Sequence, residues 1–442
     1  MAQPLTVLFM PESAYGPTNN CIGIGDILRR HGHRVVFAAE ASWAGRLAPL
    51  GFVEDLVDLA PPPEPDPTGA AQDAGQFWKD FIRDTAPEFR KPTIEQLDTF
   101  MVPTWRALID GARYCEPQLR EIIARQAPDV IVEDNVVSFP ALQTAGRPFV
   151  RIVSCNPLEI RGDADGSAAI APTYSGLPAD DTAEWEAFRE AYDRTHRPTW
   201  EAFDQWCREQ GTRPLPELEF MHPSEVLNLY VYPQVADYTD RRPLDPDRWQ
   251  RLDSSVRRTD AAFEIPAGLA DRPAGSALVY LSLGSLGSAD VDLMRRLVGV
   301  LGDSPHRFIV SKGPQHDQYD LAPNMWGAEF VPQTTIIPLV DLVITHGGNN
   351  TTTEAFHFGK PMVVLPLFWD QYDNAQRVDE TGFGVRVPTY AFEPADLTAA
   401  MDRLAGDVAL RTRMAGIGAE IRARDGVAKA AAAIERVGLA SR

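Results

Sequence analysis

Short segments that are apolar throughout recur along this chain and alternate with helical patterns. Apolar runs at 5–10 and 34–38 flank a Pro/Gly/Asn-rich loop and a helical stretch at about 21–31, an arrangement typical of a parallel strand–helix–strand unit. The same kind of run returns at 129–133 and 148–153. Strands that lack polar alternation belong to a sheet that is covered on both faces. The sequence therefore predicts an α/β fold with parallel sheets.

The rhythm stops in a segment rich in Asp, Arg and Pro and then restarts. New apolar runs follow at 277–283, 307–311, 342–345 and 362–366. A chain of 442 residues has room for two domains of ordinary size. We predict a first domain, a linker, a second domain and a terminal helix, with the bounds 1–240, 241–275, 276–425 and 426–442.

The charge balance excludes several classes of partner. The chain carries 62 acidic and 42 basic residues, a net charge of -20, which disfavours nucleic-acid and membrane-surface binding. Its four cysteines have neither disulfide-framework nor zinc-site spacing, so we predict reduced thiols and no metal centre. The sequence has no basic leader and no apolar run of about 18 residues. We expect a soluble cytoplasmic protein.

The densest chemical signal follows the strand at 342–345. The chain runs there into His346-Gly347-Gly348-Asn349-Asn350-Thr351 and on to Glu354, with a helix expected to open at Asn350 or Thr351. A Gly-rich turn that feeds a helix N-terminus presents free N–H groups and a positive dipole end to an anion. Asn350 and Thr351 are good capping residues, and His346 can add a further donor. The alternative interpretation is an ordinary capped helix after a glycine turn.

A second polar turn follows the strand at 362–366. It reads Phe368-Trp369-Asp370-Gln371-Tyr372-Asp373-Asn374-Ala375. Asp370 and Gln371 offer acceptors and donors that suit neighbouring sugar hydroxyls. Asp370 and Asp373 can also be read as metal ligands, but no clustered carboxylate or histidine in the sequence completes a coordination shell.

Taken together and in order, these elements resemble the signature of the UDP-glycosyltransferase superfamily. Within it, the chain is most similar to the bacterial macrolide and natural-product glycosyltransferases. A weaker resemblance covers Gly16–Asn20 through His33 and the segment Leu283-Gly284-Ser285. The motifs that carry the resemblance are Phe330-Val331-Pro332-Gln333, His346–Thr351, Glu354-Ala355, Gly359-Lys360-Pro361 and Asp370–Ala375.

The resemblance implies a fold and a set of residue roles. The fold is GT-B, two Rossmann-like domains whose parallel sheets face each other across a cleft, with the last helix crossing back to the first domain. Phe330 would stack on the nucleobase, Gln333 would lie near base and ribose, and Glu354 would bind the ribose hydroxyls. Asp370 and Gln371 would bind the transferred sugar. The residues implied for the diphosphate are Ser285, His346, Gly348, Asn350 and Thr351.

The implied reaction is an inverting, metal-independent transfer without a cofactor, from a UDP- or dTDP-sugar to a hydrophobic small molecule. The family's general base is a His directly after the first-loop Gly, where this chain has Pro17. Asp134, which matches the Asp that orients that His, is then expected to be an unpartnered carboxylate at the cleft. Asp134 and Glu12 are the candidate bases. An acidic acceptor would need no base.

Aromatic residues at helical spacing fill the regions 60–127 and 160–220. They are either plain core or the walls of an apolar acceptor cleft, for which Trp78 and Trp105 are the candidates. Two other functions are compatible with the sequence. One is a non-catalytic relative that binds nucleotide sugar or helps a partner enzyme, and the other is a sugar-nucleotide epimerase of the same fold. The sugar, the acceptor, the choice of nucleotide and the choice between monomer and homodimer stay open.

Overall fold

A computed structural model describes residues 4–61, 85–161, 166 and 168–442. Trp78 lies outside these residues. The described residues form two parallel sheets covered by helices, which confirms the predicted GT-B architecture.

The first sheet has the strand order β3-β2-β1-β4-β5-β6-β7, and every pairing in it is parallel. The central strand β1 pairs with β2 on one side and with β4 on the other. Its strands are Thr6–Pro11 (β1), Arg34–Phe37 (β2), Val53–Glu54 (β3), Val130–Asp134 (β4), Phe149–Val153 (β5), Leu227–Tyr230 (β6) and Trp249–Arg251 (β7).

The second sheet has the order β10-β9-β8-β11-β12-β13 and is also parallel. Strand β8 and strand β11 are buried along their whole length, as their unbroken apolar runs predict. The strands are Leu278–Ser282 (β8), Arg307–Ser311 (β9), Met325–Ala328 (β10), Leu342–Thr345 (β11), Met362–Val364 (β12) and Gly384–Arg386 (β13).

The described residues include nine long helices, some packed on the sheets and others on neighbouring helices. They are Tyr15–Arg30 (α1), Val102–Gln126 (α2), Thr182–Glu209 (α3), Val291–Gly302 (α4), Asn349–Phe358 (α5), Gln371–Glu380 (α6), Pro394–Gly406 (α7), Val408–Arg424 (α8) and Gly426–Ala440 (α9). Single α-helical turns lie at Thr93–Gln96, Pro140–Gln143, Ala267–Ala270, Gly284–Gly287 and Gln333–Ile336. None of the described helices is long and apolar enough to span a bilayer.

The first sheet extends past the boundary at residue 240 that the sequence predicts. Strand β7 pairs in parallel with β6, although it lies inside the predicted linker. Its three half-buried residues form an edge strand, which explains why no apolar run marks it. The first domain therefore continues at least to Arg251.

The last helix, α9, packs against the first domain. Ala430, Ala431 and Ile434 share a buried cluster with strand β1. A Cβ placed on Gly438 would lie 2.6 Å from Val130 Cγ2, so the small residues of α9 permit close approach to the sheet. Helix α9 thus returns to the domain that holds strand β1.

Candidate active site

Two sets of loops meet where the sheets face each other. In the second sheet, β8, β11 and β12 are neighbours, so the loops after their carboxyl ends lie side by side. In the first sheet, the loops after β1, β4 and β5 are grouped in the same way. The carboxyl edge of a parallel sheet is where ligands bind in open α/β folds. The two edges touch, because the backbone N–H of Asn156 donates to Asp370 Oδ2 at 2.9 Å.

Helix α5 presents an uncapped N-terminus at this edge. It begins at Asn349 with Gly348 as its N-cap, which makes no side-chain capping bond. The preceding Gly347 has a φ of 87°, a left-handed conformation that favours glycine. Asn350 and Thr351 lie within the first turn, so the prediction that one of them caps the helix is wrong. The free N–H groups of this turn can receive an anion.

The imidazole of His346 lies between two glycines. A Cβ on Gly284 would stand 2.8 Å from His346 Cε1, and a Cβ on Gly348 would stand 2.6 Å from His346 Nε2. Desolvation lowers the pKa of His346 to about 4, so the ring is neutral at pH 7 and carries a single N–H that can donate a hydrogen bond. Ser285, in the turn beside Gly284, is half-buried on the same edge.

Glu354 is 1% exposed and is held by three side chains. Gln333 Nε2 donates to its Oε2 at 2.5 Å, Asn350 Nδ2 donates to its Oε1 at 3.1 Å, and Arg257 Nη1 lies 3.4 Å from Oε1. Burial raises the pKa of this carboxyl group despite the nearby Arg257. Arg257 is itself fixed by Asp260 at 2.8 Å. Nothing in the sequence marked Arg257, because it lies in the segment predicted as linker.

Gln333 connects the Glu354 carboxylate to the first turn of helix α5. Its Oε1 accepts from the Tyr280 hydroxyl at 2.9 Å, and its Nε2 also contacts Thr351 Oγ1 at 3.2 Å. Phe330, three residues earlier, is 53% exposed. Its ring faces Tyr15 of the first domain, with 6.0 Å between the ring centroids. Gln333, Thr351 and Glu354 therefore form one hydrogen-bonded group, and Phe330 stands exposed three residues before it.

Asp370 and Gln371 begin helix α6 at the next loop. Asp370 Oδ2 accepts from the Asn156 backbone and from Asn374 Nδ2 at 3.3 Å. Desolvation raises the pKa of Asp370 to about 7. Gln371 Oε1 accepts from the N–H groups of Leu367 and Phe368 at 3.1 and 3.3 Å, which folds the loop around the amide.

Glu12 and Asp134 stand at the facing edge of the first sheet. The Glu12 N–H donates to the Asp134 carbonyl at 2.8 Å. Asp134 is 2% exposed and accepts from Ser154 Oγ at 2.6 Å, so the expectation of an unpartnered carboxylate is wrong. Glu12 is half-buried and has no side-chain hydrogen bond within the described residues. Pro17 lies in the first turn of α1, within the chain's loop-to-helix junction.

Both of these carboxyl groups are poised near neutral pH. Desolvation, Asp134 and Asp370 raise the pKa of Glu12 to about 7. Desolvation also raises the pKa of Asp134 to about 6, although the bond from Ser154 works in the opposite direction.

One group in the described part of the chain has the side chains of a metal site. Ligand atoms of Cys155, Glu159 and Asp370 lie within 4.8 Å of one another. Burial and the neighbouring carboxylates raise the pKa of the Cys155 thiol and of the Glu159 carboxyl group well above their usual ranges. Asp373 is satisfied by the N–H groups of Tyr174 and Gly176 at 2.5 and 2.8 Å. The group offers three potential ligand atoms, and no histidine is among them.

Trp105, a candidate cleft wall, is 2% exposed. It stacks on Phe220 at 4.2 Å and contacts Trp369 at 4.7 Å between ring centroids. Trp369 precedes Asp370, and its Nε1 donates to Glu159 at 3.1 Å. Trp105 thus lies in the packed layer directly behind the second polar turn, while the placement of Trp78 is outside the described residues.

Known proteins are similar in sequence to this chain over most of its length. A family model for the erythromycin biosynthesis protein CIII-like C-terminal domain matches residues 295–435. The chain is 25% identical to the NDP-glycosyltransferase YjiC of Bacillus subtilis (strain 168) over 427 residues, which are 96% of this chain and 94% of that protein. It is 24% identical to the oleandomycin glycosyltransferase of Streptomyces antibioticus, over 98% of this chain and 90% of the relative.

The fold is also that of solved structures. The glycosyltransferase of kitacinnamycin matches with a TM-score of 0.68 at 22% identity, and the match covers 99% of this chain and 100% of that one. At this identity the likeness establishes the fold. The relatives whose sequences match over nearly the whole chain are named as glycosyltransferases.

Proposed function

We propose that this chain, a GT-B glycosyltransferase that resembles the natural-product enzymes, transfers a sugar from a UDP- or dTDP-sugar to an apolar small molecule with inversion. The observation that carries the proposal is the pairing of two kinds of group across the domain boundary. The uncapped helix α5 and His346 lie on one side, and the carboxylates Glu12 and Asp370 lie near them. One side of this junction suits a diphosphate, and the other suits a nucleophile that must lose a proton.

The diphosphate would bind at the N-terminus of α5. Backbone N–H groups after Gly348, the neutral imidazole of His346, and the side chains of Ser285, Asn350 and Thr351 are the donors. As the bond from the anomeric carbon to the leaving oxygen breaks, negative charge grows on the diphosphate, and these fixed donors stabilise it. This arrangement lets a protein of net charge -20 hold a dianion through local dipoles.

The nucleoside would lie along Phe330, Gln333 and Glu354. The exposed ring of Phe330 offers a face for stacking, and the buried carboxylate of Glu354 accepts hydrogen bonds from ribose hydroxyls. Asn350 links the ribose carboxylate to the phosphate helix, which matches the order of groups in a nucleoside diphosphate. Stacking does not distinguish uracil from thymine, so both donors stay in the proposal.

The transferred sugar would occupy the space between Asp370, Gln371 and the first-sheet edge. The acceptor hydroxyl attacks the anomeric carbon from the side opposite the diphosphate, a new carbon–oxygen bond forms, and the configuration inverts. The released proton goes to Glu12, whose pKa near 7 and free carboxylate suit general base catalysis. Asp134, bonded to Ser154, is the second candidate.

The acceptor would be apolar and would lie on the first domain. Trp369 and Trp105 form aromatic packing behind the sugar turn, and Trp78 remains a predicted wall. The name of the oleandomycin relative supports an antibiotic or other natural product as the acceptor. The reaction needs no metal on this account, because the N–H groups of the helix end and of His346 stabilise the charge on the leaving group.

The test is the release of nucleoside diphosphate from UDP- and dTDP-sugars in the presence of a panel of aromatic and macrocyclic acceptors. Release that depends on acceptor, together with a glycosylated product in the mass spectrum, supports the transferase. Nucleotide-sugar binding without product across the panel would instead support the non-catalytic relative. Retention of configuration in the product would overturn the direct displacement.

A further inference from the structure

We propose that Tyr15 of the first domain forms the second wall of the nucleobase site, opposite Phe330 of the second domain. The inference rests on the proposed function, because it assumes that the base stacks on Phe330. Tyr15 would contribute to nucleotide affinity, although it belongs to the first domain, to which the proposed function assigns the acceptor. The nucleotide would then bridge both domains.

Exposure singles out this pair of rings. Among the described residues three aromatic side chains are exposed, namely Tyr15 at 38%, Tyr114 at 38% and Phe330 at 53%. Two of them face each other, with 6.0 Å between ring centroids and 36° between ring planes. Large exposed aromatic faces are costly to leave in water, and paired faces are a common means of binding a planar ligand.

The position of Tyr15 is fixed by its own domain. Its ring packs at 5.3 Å from Trp43, and its hydroxyl accepts a hydrogen bond from Arg46 Nη1 at 2.7 Å. Trp43 in turn donates from Nε1 to the Ser13 carbonyl at 3.2 Å, next to the start of helix α1. The Tyr15 ring is thus held in place at the first residue of helix α1 by Trp43 and Arg46.

The helix that carries Tyr15 also reaches the phosphate site. A Cβ on Gly16 would lie 3.4 Å from Asn350 Cβ, in the first turn of α5. Adjacent residues of α1 therefore border the diphosphate donors and the exposed face of Phe330. This is the path that a nucleoside diphosphate would follow from phosphate to base.

The spacing indicates how the base enters. A planar base between two rings needs about 7 Å between their centres, which is two van der Waals contacts of about 3.5 Å. The observed 6.0 Å is about 1 Å less than this value. The two rings must therefore move apart by about 1 Å to admit the base. Contact of the base with both rings then fixes the distance between the two domains at this point.

The experiment measures the dissociation constants of UDP and dTDP by calorimetry for Tyr15→Ala, Tyr15→Leu, Tyr15→Phe and Phe330→Ala. Tyr114→Ala removes an equally exposed aromatic ring from helix α2 and is the matched control. We expect about tenfold weaker binding for Tyr15→Ala, Tyr15→Leu and Phe330→Ala, because each removes one stacking face. Tyr15→Phe and Tyr114→Ala should bind like the wild type. Inhibition by pyrophosphate, which has no base, should be equal in all variants.

Other outcomes separate this inference from the proposed function. If Phe330→Ala weakens nucleotide binding and Tyr15→Ala and Tyr15→Leu do not, Tyr15 is not a wall of the nucleobase site. The proposed donor site is then still supported. If Phe330→Ala and His346→Ala both bind nucleotide normally, the donor site itself is wrong. Equal loss of pyrophosphate and nucleotide binding in Tyr15→Ala would mean that Tyr15 only stabilises the start of helix α1. That result would overturn its assignment as a wall of the nucleobase site. A loss in Tyr15→Phe as large as in Tyr15→Ala would assign the effect to the bond with Arg46.

Discussion

Gly348 leaves no room for a side chain beside His346, since a Cβ at this position would lie 2.6 Å from the imidazole Nε2. The backbone of Gly348 has a φ of -55°, which any residue can adopt. Glycine is therefore required at position 348 because a side chain would displace the imidazole, and not because the loop needs an unusual backbone conformation.

This relationship gives a specific prediction. Gly348→Ala should displace His346 and lower kcat by about tenfold or more, because a donor to the leaving group loses its position. The thermal midpoint should change little. Gly299→Ala in helix α4 is the control, since a Cβ there meets nothing within 4 Å. Wild-type kcat in Gly348→Ala would mean that His346 does not contact the diphosphate during the reaction.

The pH dependence tests the general base. With the pKa of Glu12 near 7, activity on an alcohol acceptor should be low at acidic pH and should rise as Glu12 loses its proton around neutrality. Glu12→Gln should reduce kcat by about a hundredfold and remove that rise. The measurement is the pH profile of kcat with a neutral alcohol and with a phenol of low pKa.

The phenol is the internal control, because it is largely ionised without a base and Glu12→Gln should affect it much less. Asp134→Asn should reduce activity less than Glu12→Gln, because Asp134 is buried against Ser154. If Asp134→Asn has the larger effect, the two assignments are reversed. Full activity of both variants on the alcohol would exclude a carboxylate base at this edge.

Glu354 should act on nucleotide binding. Glu354→Ala removes hydrogen bonds between a charged group and the ribose, which are worth about 1.5–3 kcal/mol. We expect the dissociation constant of the nucleoside diphosphate to rise by about tenfold or more, with a smaller change in kcat at saturating donor. Calorimetry with UDP and dTDP measures the effect. A large fall in kcat with unchanged binding would place Glu354 in the chemical step.

A buried ion pair behind the site should control stability. Arg151 and Glu133 are both fully buried and lie 3.0 Å apart. Arg151→Met should destabilise the protein by about 3–5 kcal/mol, because it leaves a buried carboxylate without its partner. Arg197→Met breaks solvent-exposed pairs with Asp193 and Glu217 and should lower the free energy of unfolding much less than Arg151→Met. Urea unfolding measures both, and equal effects would contradict this account of the core.

The fold and the donor turn were predictable because their signals are local in sequence. An apolar run such as 342–345 identifies a buried strand, and the residues that follow it must then lie at the strand's carboxyl end. The strands that left no signal are short or half-buried, such as Val53–Glu54 and Trp249–Arg251. Their pairing depends on the neighbouring strand and not on their own composition.

The rest of the site depends on contacts between distant segments. Asn156 reaches Asp370 and Arg257 reaches Glu354 only after the two domains are assembled. The partner of Asp134 is Ser154, which follows the neighbouring strand β5, and no local motif in the sequence links the two residues. Tyr15 precedes Gly16-Pro17, and its proposed role depends on its contact with Phe330 across the cleft. No spacing rule in one sequence connects such pairs.

The most direct test of the central claim is the product of a single reaction in the presence of EDTA. The protein is incubated with an α-linked UDP- or dTDP-sugar and an acceptor that it uses, and the anomeric configuration of the purified glycoside is read by NMR. We predict a β-linked product, unchanged yield with EDTA, and a rate reduced more than tenfold in His346→Ala. An α-linked product, a requirement for added magnesium, or wild-type turnover in His346→Ala would contradict the account.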